Sequence, residues 1–428
     1  MDLKIKEDIQ FEALSAFSET HVKARDNIVY LRNKIADSTT DINDIGRLQL
    51  NLNNAMNQYN YVRIQQAVKK QALINSLSEK YQLSDTGEIR QIIEAAITDY
   101  ENEYKKGFIL DSYGTIQRET AEITIPIYAK PARSDMAVIL VYFNACSYKK
   151  LAQNLSLVYQ TLVRSDIPVF LVEHCFKDQV PLFPENGTTI FNTKSDSYMF
   201  YKENLINWIM PKIPEQYTKF YMMDCDLLFE KATWYDDVSV LLDIHDIVQP
   251  FQTAIWLDSD LNTINLKRDS FAYISSKKEQ LVLDNHHPGF AWAARREFIQ
   301  PKGLFDLNVL GSGDVILGFS AVQNEYNWNI IIEPLIQYHK SYYESFKNVK
   351  TTFYSQIVYH LWHGSAYNRG RNTRYDEFNK ICKNNNIQIK DDIYYINSQG
   401  IYEFNKSISN EFNDIIFNYF KSRNEDGI

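Results

Sequence analysis

The sequence has no long apolar run. No stretch approaches the roughly 20 consecutive apolar residues needed to cross a bilayer, and Met1-Asp2-Leu3-Lys4-Ile5-Lys6-Glu7-Asp8 lacks the hydrophobic region of a secretory signal. The expectation is a chain with no membrane span, working in the cytoplasm. Cysteine is scarce. Cys146, Cys175, Cys225 and Cys382 are widely spaced, without metal-ligand spacing, and read as reduced, mostly buried thiols rather than a disulfide framework. Positive charge is not in excess either. A formal net charge of −9 argues against a generic polyanion binder, although a local basic groove fits inside an acidic whole. Proline is absent from about Ile9 to Tyr104, and Gly46 and Gly87 are the only glycines there. That region lacks the residues that break helices. Finally, no Gly-x-Gly-x-x-Gly follows the first strand of the α/β region, which disfavours a dinucleotide enzyme.

What is present fits an ordinary globular chain. With 428 residues, 45% of them hydrophobic and 23% charged, two or three structural units with a sizeable core are expected. Residues 1–120 read as a helical N-terminal extension. Ile28, Leu31 and Ile35 share one stripe, and Val62, Ala67, Leu73 and Leu77 lie in a second long segment. Asp85 with Glu88 makes a capping box for a helix from Ile89 to Tyr104. This extension is either a buttress or a surface for self-association.

Residues 121–428 read as an α/β domain with a mixed C-terminal tail. Ile123, Ile125 and Ile127 alternate as in a strand. Met136 to Phe143 is a buried parallel-type strand ending at Asn144. A helix carrying Leu151, Leu155, Val158 and Leu162 follows, and then a strand from Ile167 to Val172 ending at Glu173. Phe200 to Trp208 reads as a helix bearing Lys202, Ile247 to Phe251 as a strand, and Asp258 to Asn285 as a polar loop.

The chemistry concentrates in four places. In Phe220-Tyr221-Met222-Met223-Asp224-Cys225-Asp226 an apolar strand ends in two carboxylates, at the edge where open α/β sheets bind ligands. Two carboxylates so close repel unless a cation lies between them, and a divalent ion that also holds a diphosphate is the simplest such partner. Hard oxygen ligands suit Mn2+ or Mg2+. His286-His287-Pro288-Gly289-Phe290 combines a turn with a small residue, Gly289, that lets a ligand approach the backbone. Gly311-Ser312-Gly313-Asp314 presents an acid on a turn, making Asp314 the candidate general base as well as a cap for a helix from Val315 to Val322. His360-Leu361-Trp362-His363 offers a further metal ligand from either histidine, and Arg369, Arg371 and Arg374 behind it supply cations for a departing diphosphate.

Taken in order, Lys202-Glu203-Asn204-Leu205-Ile206-Asn207, Met223-Asp224-Cys225-Asp226-Leu227-Leu228, Gly289-Phe290-Ala291-Trp292-Ala293, Gly303-Leu304-Phe305 and Gly311-Ser312-Gly313-Asp314 resemble GT-A fold glycosyltransferases of the β-1,4-galactosyltransferase and related polymerase type. Val141-Tyr142-Phe143-Asn144, Val172-Glu173 and the tail from Tyr419 to Asp426 resemble glycosyltransferase-like proteins of bacteriophages and large DNA viruses, which would place the chain in a host cytoplasm. The resemblance implies a GT-A fold and a nucleotide-sugar donor, a UDP-sugar. It also implies Asp224 and Asp226 at the metal with one of His360 and His363, and Asn144, Glu173 and Lys202 at the nucleotide. Asp314 would be the base of an inverting transfer to a glycan, a protein or a modified nucleic-acid base. One departure stands out: Val315 follows Asp314 where the galactosyltransferases carry further acids. Two other classes share some of these features, a non-catalytic scaffold that works through the helical region, and a nucleotidyltransferase with paired carboxylates.

Overall fold

The computed structural model describes residues 73–80, 89–93, 108–110, 116–118, 125–283, 285–324, 332–364 and 375–427. The chain divides into two units, Met1–Glu119 and Thr120–Ile428. In the first, residues 73–80 and 89–93 are helical, and β1 (Phe108–Leu110) pairs antiparallel with β2 (Ile116–Arg118). The apolar stripe around Ile28, Leu31 and Ile35 and the cap at Asp85 lie outside the described residues.

The second unit is α/β, as the strand and helix pattern requires. Its central sheet has seven strands in the order β13-β8-β12-β6-β3-β4-β5. These are β3 (Met136–Phe143), β4 (Val169–Phe176), β5 (Ile190–Ser195), β6 (Lys219–Met223), β8 (Ile247–Gln249), β12 (Ala291–Arg295) and β13 (Thr351–Phe353). Six run parallel to one another; β12 alone is reversed, pairing antiparallel with both β6 and β8.

The unbroken apolar run of β3 has a plain cause. Ala137, Ile139 and Val141 face one buried cluster, while Met136, Val138, Leu140 and Tyr142 face another on the opposite side of the sheet. A strand buried on both faces has no position left for a polar residue. Helix α1 (Lys149–Arg164) covers the second face with Leu155, Val158 and Leu162; α2 (Lys202–Ile209) covers the first with Leu205, Ile206 and Ile209. Lys219 holds the start of β6. Its ammonium is 2.7 Å from Asp135 and 2.5 Å from Asp243, so the strand's register, and with it the position of Asp224, is fixed from behind.

A second, five-stranded sheet has the order β11-β10-β9-β14-β7. It comprises β7 (Leu227–Phe229), β9 (Thr253–Leu257), β10 (Ile264–Ser270), β11 (His286–His287) and β14 (Ile357–His360). The chain passes from the first sheet to the second across Asp224-Cys225-Asp226, between the end of β6 and the start of β7. Both acids therefore sit where the two sheets part.

Three expectations change. The polar stretch from Asp258 to Asn285 contains β10 and helix α3 (Phe271–Ser276) instead of one loop. Over Ile264–Lys267 polar Asn265 and Lys267 are exposed between half-buried Ile264 and Leu266, but Arg268 and Asp269 are half-buried and Ser270 is buried, so a polar composition alone reads as a loop. Ile125 and Ile127 are exposed and lie outside any strand. Strand β4 runs on to Phe176, so Glu173 is inside it rather than at its end. No described helix is long and apolar enough to cross a membrane.

Candidate active site

Strand pairing assembles the site. β14 runs antiparallel to β7, placing His360 opposite Leu227, and the amide of Leu361 donates to the carbonyl of Asp226 at 2.8 Å. That register brings the His360–His363 segment against the second acid of the pair. The carboxylate of Asp226 lies 2.9 Å from His363 Nε2 and 3.6 Å from His360 Nε2, and the two imidazole nitrogens are 3.1 Å apart. One ligand atom from each of the three residues falls within 4.8 Å of the others. Asp226 is 7% exposed and each histidine 4%. Phe290, at a positive φ of 70°, stacks its ring on His360 at 4.9 Å between centroids.

The first acid of the pair has a different partner. Asp224 Oδ1 is 2.5 Å from Lys202 Nζ at the start of α2, and its amide donates to the carbonyl of Phe290. Burial pushes the Asp224 carboxyl up to about 6; Lys202 pulls the other way, and Asp226 adds to the rise. Burial alone would lower the Lys202 ammonium, yet Asp224, Asp314 and Glu203 together hold it above its ordinary value. So the two acids, one residue apart, have different partners: Asp226 faces the histidines and Asp224 the lysine.

Asp314 lies in the first turn of helix α4 (Gly313–Val322), behind two left-handed residues, Gly311 (φ 87°) and Ser312 (φ 74°). The turn aims the carboxylate at the backbone of Gly289: a β-carbon built there would stand 2.1 Å from Asp314 Oδ2. Gly289 was expected to make room for a ligand. It makes room for Asp314, and the space is filled by that carboxylate. Gly313 plays the same part for Glu203, whose carboxyl carbon would be 2.3 Å from an added β-carbon. Glu203 is 4% exposed, and burial, opposed by Lys202 and reinforced by Asp314, pushes it up to about 8.

These groups open on a cleft of about 260 Å3 whose lining includes Asn144, Lys202, Asp224, Asp226, Asp314 and Arg423. Asn144 lines it but is committed locally, donating to the Tyr142 hydroxyl and the Tyr148 carbonyl and accepting from the Tyr148 amide. Glu173 does not reach the lining. Its two oxygens accept from the amides of Leu182 and Phe183 at 2.7 and 2.9 Å, which pins the loop after β4. A carboxylate in mid-strand points to one face of the sheet, and here that face carries a loop. Arg369, Arg371 and Arg374 lie outside the described residues.

No family model and no curated protein matches the chain. Solved structures do. The catalytic domain of Drosophila β1,4-galactosyltransferase 7, in complex with xylobiose, is similar at 13% identity and a TM-score of 0.31, over 66% of this chain and 98% of that one. A protein of Desulfovibrio desulfuricans G20 assigned as a nucleotide-diphospho-sugar transferase is similar at 10% identity and a TM-score of 0.28, over 60% and 98%. Likenesses of this degree leave the weight on the side chains of the cleft.

Three of those side chains fall within stretches that carry the sequence resemblance, without a role assigned to them. Glu203 stands beside Lys202 on α2, and its burial goes with the close approach of Gly313. Arg423 and Glu425 belong to the C-terminal tail, yet both line the cleft. Among the described lining residues, Lys202 and Arg423 are the lysine and arginine, the first paired with Asp224 and the second with Glu425.

Proposed function

We propose that this chain is a GT-A type glycosyltransferase that moves a sugar from a nucleoside diphosphate, a UDP-sugar, to an acceptor hydroxyl. The observation that carries the reading is the convergence of Asp226, His360 and His363 on one point beside the Lys202–Asp224 pair, in a cleft at the end of the parallel strands. Three buried groups with lone pairs facing each other at 2.9 to 3.6 Å fit a divalent cation. Two imidazoles beside one carboxylate serve Mn2+ better than Mg2+, which prefers oxygen throughout. When bound, the cation would stabilise negative charge growing on the leaving diphosphate.

The chain's own residues supply the rest. Lys202 and Arg423 offer positive charge to the diphosphate in a partly dry site, where each is worth more than in water. Asp314, held by its turn and by Gly289, takes the proton from the acceptor hydroxyl as that oxygen attacks the anomeric carbon. Such a base implies inversion at the sugar. Asp224, engaged with Lys202, keeps the lysine aimed into the cleft and stands close enough to meet the ribose. The acceptor class, whether glycan, protein or modified nucleic-acid base, is open on the site's geometry.

The reading is tested by incubating the purified chain with a panel of nucleotide sugars and Mn2+ and measuring the release of nucleoside diphosphate. Slow, Mn2+-dependent hydrolysis of one donor, lost in Asp226→Asn, is expected. Pyrophosphate release from nucleoside triphosphates, with no sugar-nucleotide turnover, would instead identify a nucleotidyltransferase.

A further inference from the structure

We propose that Glu425 is a positioning residue that sets His363 for cation binding, so that the C-terminal tail is a working part of the site. The inference rests on the cation site proposed above. Glu425 is 3% exposed and sits 62 residues from His363 in the chain. Its Oε2 is hydrogen-bonded to His363 Nδ1, while its Oε1 forms an ion pair with the guanidinium of Arg423. An imidazole whose Nδ1–H is donated to a carboxylate keeps its Nε2 lone pair on the far side of the ring. Here Nε2 faces Asp226, 2.9 Å away. A histidine so held is fixed in both tautomer and orientation and is a better ligand, which is why partners of this kind weigh heavily in metal affinity.

The tail is itself firmly docked, as a positioning group must be. The carboxylate of Asp426 accepts from the amides of Lys149 and Lys150 at 3.1 and 2.8 Å, capping the start of α1. The Tyr148 hydroxyl donates to the carbonyls of Phe420 and Lys421 at 3.2 and 2.9 Å. Gly364, next to His363, has a positive φ of 79°, and a β-carbon there would fall 2.6 Å from the carbonyl oxygen of Asn424. Glu425 is thus gripped through the residues on either side of it, and the glycine after His363 lets the tail come close.

The experiment uses the full chain and two readouts that need no turnover. Selective 15N labelling of histidine reports the His363 tautomer in metal-free protein, and Mn2+ titration followed by electron paramagnetic resonance reports affinity without nucleotide. We expect wild-type His363 to carry its proton on Nδ1, Glu425→Ala to abolish that signature and weaken Mn2+ binding about 10- to 100-fold, and Glu425→Gln, whose amide oxygen still accepts, to lose less. A folded Glu425→Ala variant with Mn2+ affinity within about twofold of wild type overturns the proposal and leaves the cation site standing. So does a wild-type His363 that carries no proton on Nδ1, a result that needs no variant to fold. Wild-type protein that binds no Mn2+ overturns the cation reading and this inference with it.

Discussion

Replacing Gly289 with alanine should separate catalysis from cation binding. Gly289 has no left-handed backbone to strain, so the effect comes from the methyl group alone. That methyl would stand 2.1 Å from Asp314 Oδ2, 3.0 Å from its carboxyl carbon and 3.2 Å from its β-carbon, where ordinary contact begins near 3.4 Å. The oxygen must retreat by more than an ångström, and because the rest of the short side chain is also crowded, rotation of the carboxylate alone does not relieve the clash. Displacing a reacting group by about 1 Å costs roughly 100-fold in rate. Overpacking adds a stability loss of about 1 to 3 kcal/mol. The assay is donor turnover together with calorimetric Mn2+ and UDP binding. The expected result is kcat lower by about two orders of magnitude with both affinities within about twofold of wild type. Turnover within about threefold of wild type would refute the placement of Asp314 as base.

Two further outcomes are expected. Glu203 has its folded-state pKa raised to about 8 from an ordinary 4.5, so it binds its proton more tightly in the folded chain; the stability this contributes is complete below about pH 4.5 and is lost as pH rises through about 8. Urea unfolding should show wild-type stability falling across that window by an amount on the order of 5 kcal/mol, and the fall should flatten in Glu203→Gln; equal slopes in both would contradict the assignment. Glu173→Ala strips the acceptors from the amides of Leu182 and Phe183. It should cost about 1 to 3 kcal/mol and open residues 177–189 to limited proteolysis without changing UDP affinity; weakened UDP binding would restore Glu173 to the nucleotide site.

Much of the site was legible in the sequence, for reasons that differ by residue. Asp224 and Asp226 stand out because an apolar strand cannot continue through two carboxylates, and Asp314 because two glycines precede it. What the sequence does not carry is pairing between distant segments. The choice between His360 and His363 was open by spacing alone, and the structure brings both to Asp226 because β14 pairs with β7 in a register set more than a hundred residues earlier. The different partners of the two acids follow from Lys202, which lies on helix α2, distant in the chain. Glu425 belongs to a tail whose approach to His363 depends on Gly364, a residue that reads only as a turn. Local pattern likewise failed at β10, where a polar composition leaves a strand looking like a loop, and at Glu173, where a strand outlasted its apolar run.

The central claim is that Asp226, His360 and His363 hold a divalent cation which in turn holds a nucleoside diphosphate. Isothermal titration of the full chain with UDP, with and without Mn2+, on wild type and on Asp226→Asn, tests it most directly. The account predicts UDP binding that requires Mn2+ and is lost in the variant. UDP binding of equal strength with and without Mn2+, or unchanged in Asp226→Asn, would contradict it.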